Sequence, residues 1–201
     1  MSKFTSHISV LGSGAWGTAL AQLISKKTDV LIWVKEKTVK IDINQSHLNK
    51  KFLPGVKLNK NILGTNYLED LKDSKVIFLT IPVQYMSSIL KKIKKFVNSD
   101  VIFVCCSKGI EMNTLKLPSQ IVSLHFPKHD IAVLSGPNFA EEVSRNMPTA
   151  TLIASNKIAT SKKIASIVQT KLFRPYMSED VIGSQIAGAT KNVYAIACGV
   201  V

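Results

Sequence analysis

The hydrophobic pattern alternates short β-branched runs with longer stretches of helical spacing. Ile8–Gly12 reads as a strand, Trp16–Lys27 as a helix and Val30–Val34 as a second strand. Lys35–Leu48 has the spacing of a polar-faced helix, and Phe52-Leu53-Pro54-Gly55 reads as a loop. Lys75–Ile81 and Val101–Cys106 are nearly continuous apolar runs, the pattern of strands covered on both faces. Between them, Val83–Val97 gathers Met86, Ile89, Leu90, Ile93 and Val97 on one helical face and Lys91, Lys92, Lys94 and Lys95 on the others. Further on, Leu117–Leu124 and Ser161–Leu172 read as helices, and Ile131–Leu134 and Ala150–Ala154 as strands. Val181–Val201 is a mostly apolar helical segment. Repeated strand–helix–strand units imply a parallel α/β sheet with right-handed crossovers. Such a sheet binds ligands beyond the carboxyl ends of its strands, so the residues just after each strand are the informative ones.

The chain has 201 residues, of which 46% are hydrophobic and 19% charged, a composition that fills a core and argues against disorder. No secretory leader is expected at its start, and no apolar run approaches the roughly 20 residues of a membrane span. The 26 lysines and arginines against 13 acids leave a formal charge of +13, which suits an anionic partner without choosing among nucleic acid, membrane surface and a phosphorylated small molecule. The lysines are spread along the chain, and no recognised nucleic-acid motif accompanies them. Three cysteines without CxxC spacing (Cys105, Cys106 and Cys198) are expected to be buried, reduced thiols, with no disulfide framework and no metal site. The chain stops inside an apolar helical pattern at Ala195–Val201 and is expected to be part of a longer protein.

Five short motifs carry the chemistry. Gly12-Ser13-Gly14-Ala15-Trp16-Gly17 is a G-x-G-x-x-G between a strand and a helix, the context of a dinucleotide fingerprint. Gly12 permits the tight turn, Gly14 lets a pyrophosphate approach the backbone, and Gly17 lets helix and strand pack closely. At the end of the second strand, Lys35 and Lys37 favour a 2′-phosphate and Glu36 a free 2′-hydroxyl, so NADP and NAD both stay open, with a lean toward NADP. Ser107-Lys108-Gly109 puts an ammonium at a strand's carboxyl end, where it can hold a phosphate or polarise a carbonyl. Leu134–Val143 (LSGPNFAEEV) ends a strand at Gly136-Pro137 and starts a helix, with Asn138 the expected cap and Glu141 the partner in a capping box. Gly188–Ala197 (GATKNVYAIA) sets Lys191 and Asn192 in an apolar helix. A lysine buried there would have a lowered pKa, as a general acid/base requires, whereas a snorkelling lysine would keep its head in water.

In this order the motifs GSGAWGTALA, FLPG, IPVQ, SKGIE, LSGPNFAEEV, PTA and GATKNVYAIACG resemble the NAD(P)-dependent glycerol-3-phosphate dehydrogenases of the bacterial type, over nearly the whole chain. The resemblance implies a Rossmann-like, doubly wound, mostly parallel α/β domain over residues 1–181. Residues 182–201 would then begin an all-helical domain whose remainder is absent. It implies a cytoplasmic oxidoreductase that interconverts dihydroxyacetone phosphate and sn-glycerol 3-phosphate with NADP or NAD and feeds phospholipid synthesis. The full-length protein is expected to be a homodimer with no nucleic-acid partner. By motif match, Gly12, Ser13, Gly14, Ala15, Trp16, Gly17, Lys35, Lys108 and Ala140 would meet the cofactor. Lys108, Gly136, Asn138, Lys191 and Asn192 would meet the phosphorylated triose, with Lys191 the proton donor in reduction. The pattern departs from the family where Asn138 replaces a serine or threonine, where Gln185 replaces a glutamate, and where the helical domain would follow. That domain would bring further substrate ligands, an acid and an arginine among them. The alternatives are another dehydrogenase of the 6-phosphogluconate and hydroxyacid group, or a nucleotide-binding fragment without turnover.

Overall fold

The computed structural model describes residues 7–200. The elements run β1 (Ile8–Leu11), α1 (Ala15–Ile24), β2 (Val30–Trp33), α2 (Lys37–Ile41), β3 (Leu48–Asn49), β4 (Leu53–Lys57), β5 (Ile62–Thr65), β6 (Val76–Leu79), α3 (Val83–Ile93) and β7 (Ile102–Cys105). They continue with α4 (Pro118–His125), β8 (Ile131–Ser135), α5 (Ala140–Ser144), β9 (Thr149–Ala154), α6 (Ile158–Val168), β10 (Phe173–Ser178) and α7 (Val181–Cys198). Eight strands form one sheet in the order β10-β9-β8-β7-β6-β1-β2-β5, and β3 with β4 makes a separate hairpin. All neighbours in the large sheet are parallel except β8 and β9. The chain winds outward from β1 through β2 to β5, then returns to the other side of β1 as β6. That reversal opens a crevice at the carboxyl ends of β1 and β6.

Alternate strand residues feed two cores, as expected for a sheet covered on both faces. Val10, Ile32, Phe78 and Val104 pack with α1 and α6 on one side. Leu11, Ile77, Leu79 and Phe103 pack with α3 and α4 on the other. On α3, Met86, Leu90 and Ile93 are fully buried, while the lysines that follow face water. The fold is therefore the expected doubly wound, mostly parallel, Rossmann-like sheet. Among the described residues no helix is long and apolar enough to cross a membrane.

Several local expectations fail for identifiable reasons. The helix expected over Lys35–Leu48 is regular only at α2, because Asn44 leaves it for the edge strand: Gly64 N–H donates to Asn44 Oδ1 (2.7 Å) and Asn44 Nδ2 to Gly64 O (3.0 Å). A wide turn, Asp42–Ser46, follows, and His47 then takes a positive φ of 51° before β3. Of the FLPG stretch only Phe52 lies in a turn, and Leu53-Pro54-Gly55 open strand β4 of the hairpin rather than a loop. The helix expected to reach Leu172 stops at Val168. Thr170 Oγ1 accepts from the N–H groups of Leu172 and Phe173, a turn that starts β10. β5 and β10 have no clear sequence signal because both are edge strands, and β10 carries Pro175 and buries only Phe173. Cys105 and Cys106 are buried free thiols, with burial pushing Cys105 up to about 12, but Cys198 is exposed.

α7 crosses the ends of β8 and β9 and is fastened to α4 by a residue whose role the sequence did not disclose. Buried Gln185 accepts from Ser119 N–H (2.9 Å) and donates to Ser119 Oγ and to Val181 O (both 2.8 Å). Gln185→Ala strands the buried Ser119 N–H. We expect a loss of about 1–3 kcal/mol, or roughly 3–8 °C in Tm, in thermal or denaturant unfolding. An unchanged midpoint would mean that α7 is held elsewhere.

Candidate functional site

The glycine turn is built by contacts from three strands. Gly12 N–H donates to Trp33 O (3.3 Å), and Thr80 N–H donates to Leu11 O (3.1 Å). Thr80 Oγ1 lies 3.0 Å from Gly12 O and 3.2 Å from Leu11 O, bridging the ends of β1 and β6. Gly12 has φ +125°, and a Cβ there would come within 2.8 Å of Thr80 Oγ1. A Cβ on Gly17 would collide with Gly12 O, so the first turn of α1 sits directly on the end of β1. Below the turn, the fully buried Asn49 of β3 donates to Ser13 O (2.9 Å) and to Thr18 Oγ1 (2.7 Å). With the Ser13 carbonyl held inward, the trans peptide turns the Gly14 N–H outward.

Gly14 differs from its neighbours. It is the N-cap of α1 at φ −63°, and a Cβ there meets nothing within 4 Å. The open space is part of a cleft of about 570 Å³ lined by Gly12, Ser13, Gly14, Trp33, Lys35, Glu36, Phe52 and Thr80. A pyrophosphate fits this arrangement: free helix-start N–H groups, an unfilled approach over Gly14, and a turn fixed from beneath. Lys35 and Glu36 reach the cleft, whereas Lys37, the first residue of α2, does not line it. Ala15 and Ala140 line a neighbouring groove with Phe52 and Phe139.

Thr80, Ile81 and Pro82 also line a second cleft of about 320 Å³, which continues the first across the ends of β7 and β8. It is walled by Trp16, Cys106, Ser107, Lys108, Ser135 and Asn138. Ser107 Oγ donates to Ile81 O (2.5 Å), fixing the turn that presents Lys108. Lys108 Nζ donates to Gly136 O (3.1 Å). Partial burial, and after it the charge of Lys191, hold the Lys108 ammonium below the usual lysine range.

Asn138 is not the expected helix cap. Phe139 occupies that position without a side-chain bond, and Glu141 pairs instead with Arg145 at 2.8 Å. Asn138 Nδ2 donates to Thr151 Oγ1 (2.9 Å), which donates in turn to Ser135 O (3.1 Å). This relay fixes the amide's orientation and leaves Asn138 Oδ1 buried without a partner. It is an acceptor at the cleft wall suited to a ligand hydroxyl.

α7 reaches the same region. A Cβ on Gly188 would come within 2.9 Å of Ser135 Oγ and 3.7 Å of the Lys108 stem, so this glycine is what lets the helix approach the cleft. Lys191 is half-buried, with Nζ 4.9 Å from the centre of the Phe139 ring, so it is neither deeply buried nor free in water. Asn192 is exposed. The structure thus brings Lys108, Gly136, Asn138 and the Gly188 turn of α7 together and sets Lys191 beside them, while Asn192 and Lys37 stand apart. The supporting residues Thr80, Asn49 and Thr151 had no signal in the sequence, and Gln185 stood out only as a replacement for a glutamate, because each acts on a partner well separated along the chain.

Fold and cleft together define a Rossmann-like α/β domain with a phosphate-ready glycine turn. Residues 7–161 match the family described as NAD-dependent glycerol-3-phosphate dehydrogenase N-terminus, and the chain belongs to that family. A glycerol-3-phosphate dehydrogenase [NAD(P)+] of Erythrobacter litoralis is 42% identical over 98% of this chain and 59% of its own length. A relative of the same description from Paramagnetospirillum magneticum is 42% identical over 96% of this chain and 71% of its own. The crystal structure of glycerol-3-phosphate dehydrogenase from Coxiella burnetii superposes with a TM-score of 0.90 at 29% identity, covering 98% of this chain and 61% of that one. The chain therefore spans about 59% of the Erythrobacter relative's length.

Gly14 and Gly17 predict opposite mutant behaviour. Threonine caps a helix about as well as glycine, so Gly14→Thr should unfold within about 2 °C of the wild type while losing dinucleotide binding. Gly17→Ala should lower Tm by roughly 5 °C or more, because overpacking against a backbone carbonyl costs about 1–3 kcal/mol or more. Thermal melts alongside a cofactor titration check both. A stable Gly14→Thr chain with unchanged affinity would place the nucleotide elsewhere.

Proposed function

We propose that this chain is the cofactor-binding part of an NAD(P)-dependent glycerol-3-phosphate dehydrogenase. The enzyme interconverts dihydroxyacetone phosphate and sn-glycerol 3-phosphate and supplies the glycerol phosphate of phospholipids. One observation carries the reading: the glycine turn opens into a crevice whose far end holds Lys108, and the close approach of α7 at Gly188 sets Lys191 beside it, near enough for its charge to add to burial in lowering the Lys108 pKa. Two ammonium groups facing one region suit a phosphorylated substrate beside a dinucleotide.

In this reading the bound nicotinamide supplies or accepts the hydride, and the chain's own residues bind, orient and move the proton. Gly12–Gly17 hold the pyrophosphate, Lys35 meets the adenosine end, and Ala140 borders the cofactor. Lys108 and the Gly136–Asn138 turn hold the triose, with Asn138 Oδ1 accepting from a substrate hydroxyl and Asn192 joining as the site closes. Lys191 leaves the Phe139 ring for the C2 oxygen, stabilises the charge developing there in reduction and delivers its proton. Residues 1–181 form the dinucleotide domain and 182–201 open a helical substrate domain. Exposed Val193, Tyr194 and Ile196 on α7 support that boundary, as does the greater length of the relatives. The full-length enzyme is a cytoplasmic homodimer in this account.

Lys191→Met keeps much of the side chain's length and removes its charge. In a full-length protein containing this chain, we expect kcat to fall by roughly 10²-fold or more with cofactor affinity nearly unchanged, measured by NADPH-dependent reduction of dihydroxyacetone phosphate. Near-normal turnover would show that another group moves the proton.

A further inference from the structure

The carboxylate best placed to read an adenosine ribose is already engaged. Glu36 lines the larger cleft beside Gly14 and Lys35. Both of its oxygens accept from Lys51 Nζ, each at 2.8 Å. Lys51 belongs to the turn between β3 and β4, and its Nζ also lies 5.0 Å from the centre of the Phe52 ring, which lines the same cleft. Glu36 is the N-cap of α2, yet its side chain makes no capping bond.

A free carboxylate at this position acts in two ways. It accepts a hydrogen bond from a ribose 2′-hydroxyl, and it repels a 2′-phosphate. Paired with Lys51 its charge is matched, so it repels a 2′-phosphate far less, while each oxygen keeps a lone pair that can still accept from a hydroxyl. Lys35 then leaves a net positive charge at the cleft edge.

We infer that Lys51 is a specificity-determining residue of the dinucleotide site: by holding Glu36 it removes the barrier to a 2′-phosphate and tips the cleft toward the phosphorylated dinucleotide. The inference rests on the cofactor reading above and adds to it a residue that none of the sequence motifs contains.

The test is direct binding of NADPH and NADH to the 201-residue chain at low ionic strength. The two tryptophans, Trp16 and Trp33, both line the crevice, so quenching of intrinsic fluorescence follows occupancy. The wild type should bind NADPH more tightly than NADH. Lys51→Met should raise the NADPH Kd by about tenfold and leave the NADH Kd within about twofold, or lower it. Adding Glu36→Gln to Lys51→Met should return NADPH to within about threefold of the wild type, and Lys51→Arg should behave as wild type. Lys51 is exposed and Glu36 partly so, and a surface pair of this kind adds little stability, so thermal melts should show every variant folded. Equal weakening of both dinucleotides, or no change in their ratio, would overturn the role of Lys51 while leaving the cofactor site standing. A folded wild type that binds neither would overturn the cofactor reading, and this inference with it.

Discussion

Everything in this molecule's crevice depends on how closely the first turn of α1 can approach the end of β1. Gly17 has to be glycine because its Cβ would collide with Gly12 O, and Gly12 has to be glycine because its φ is +125° against the Thr80 hydroxyl. These constraints set the helix's N–H groups at the rim of the sheet. Asn49 and Thr18 fix the Ser13 carbonyl from below, so the turn is held without any ligand. Gly14, the glycine of this turn left unconstrained by neighbours, faces the space a ligand would use.

The same crevice is extended by a second close approach. Gly188 brings α7 against Ser135 and the Lys108 stem, and Gln185 locks the helix to the start of α4. This geometry places two lysines from distant segments near one another, and the Phe139 ring gives Lys191 a resting place. The antiparallel step from β8 to β9 serves the same end. It sets Thr151 beside Ser135, so that Asn138 is gripped from the neighbouring strand and turned toward the cleft.

Much of this was legible in the sequence where the signal is local. The glycine motif, the buried strands β6 and β7 and the lysine helix α3 follow from short-range pattern, as do Lys108 and Lys191 as candidate site residues, to which the resemblance added expected roles. What was not legible depends on distance. Thr80 meets Gly12 across 68 positions and Gln185 meets Ser119 across 66, with no periodicity to announce either. Asn138 looked like a helix cap because its neighbours have capping composition, but a threonine 13 residues on competes for its amide. β10 escaped because an edge strand with a proline and one buried residue has no alternation to read.

The most direct test of the account is amide-resolved NMR of the 22.1 kDa chain as NADPH is added. The account predicts the largest shifts at the Ser13, Gly14, Ala15 and Trp16 amides and at the Trp33 indole, with Asn49 and Thr18 moving little because the turn is already formed. Saturable binding that leaves the Ser13–Trp16 amides in place, or a folded chain whose spectrum does not change at all, would contradict it.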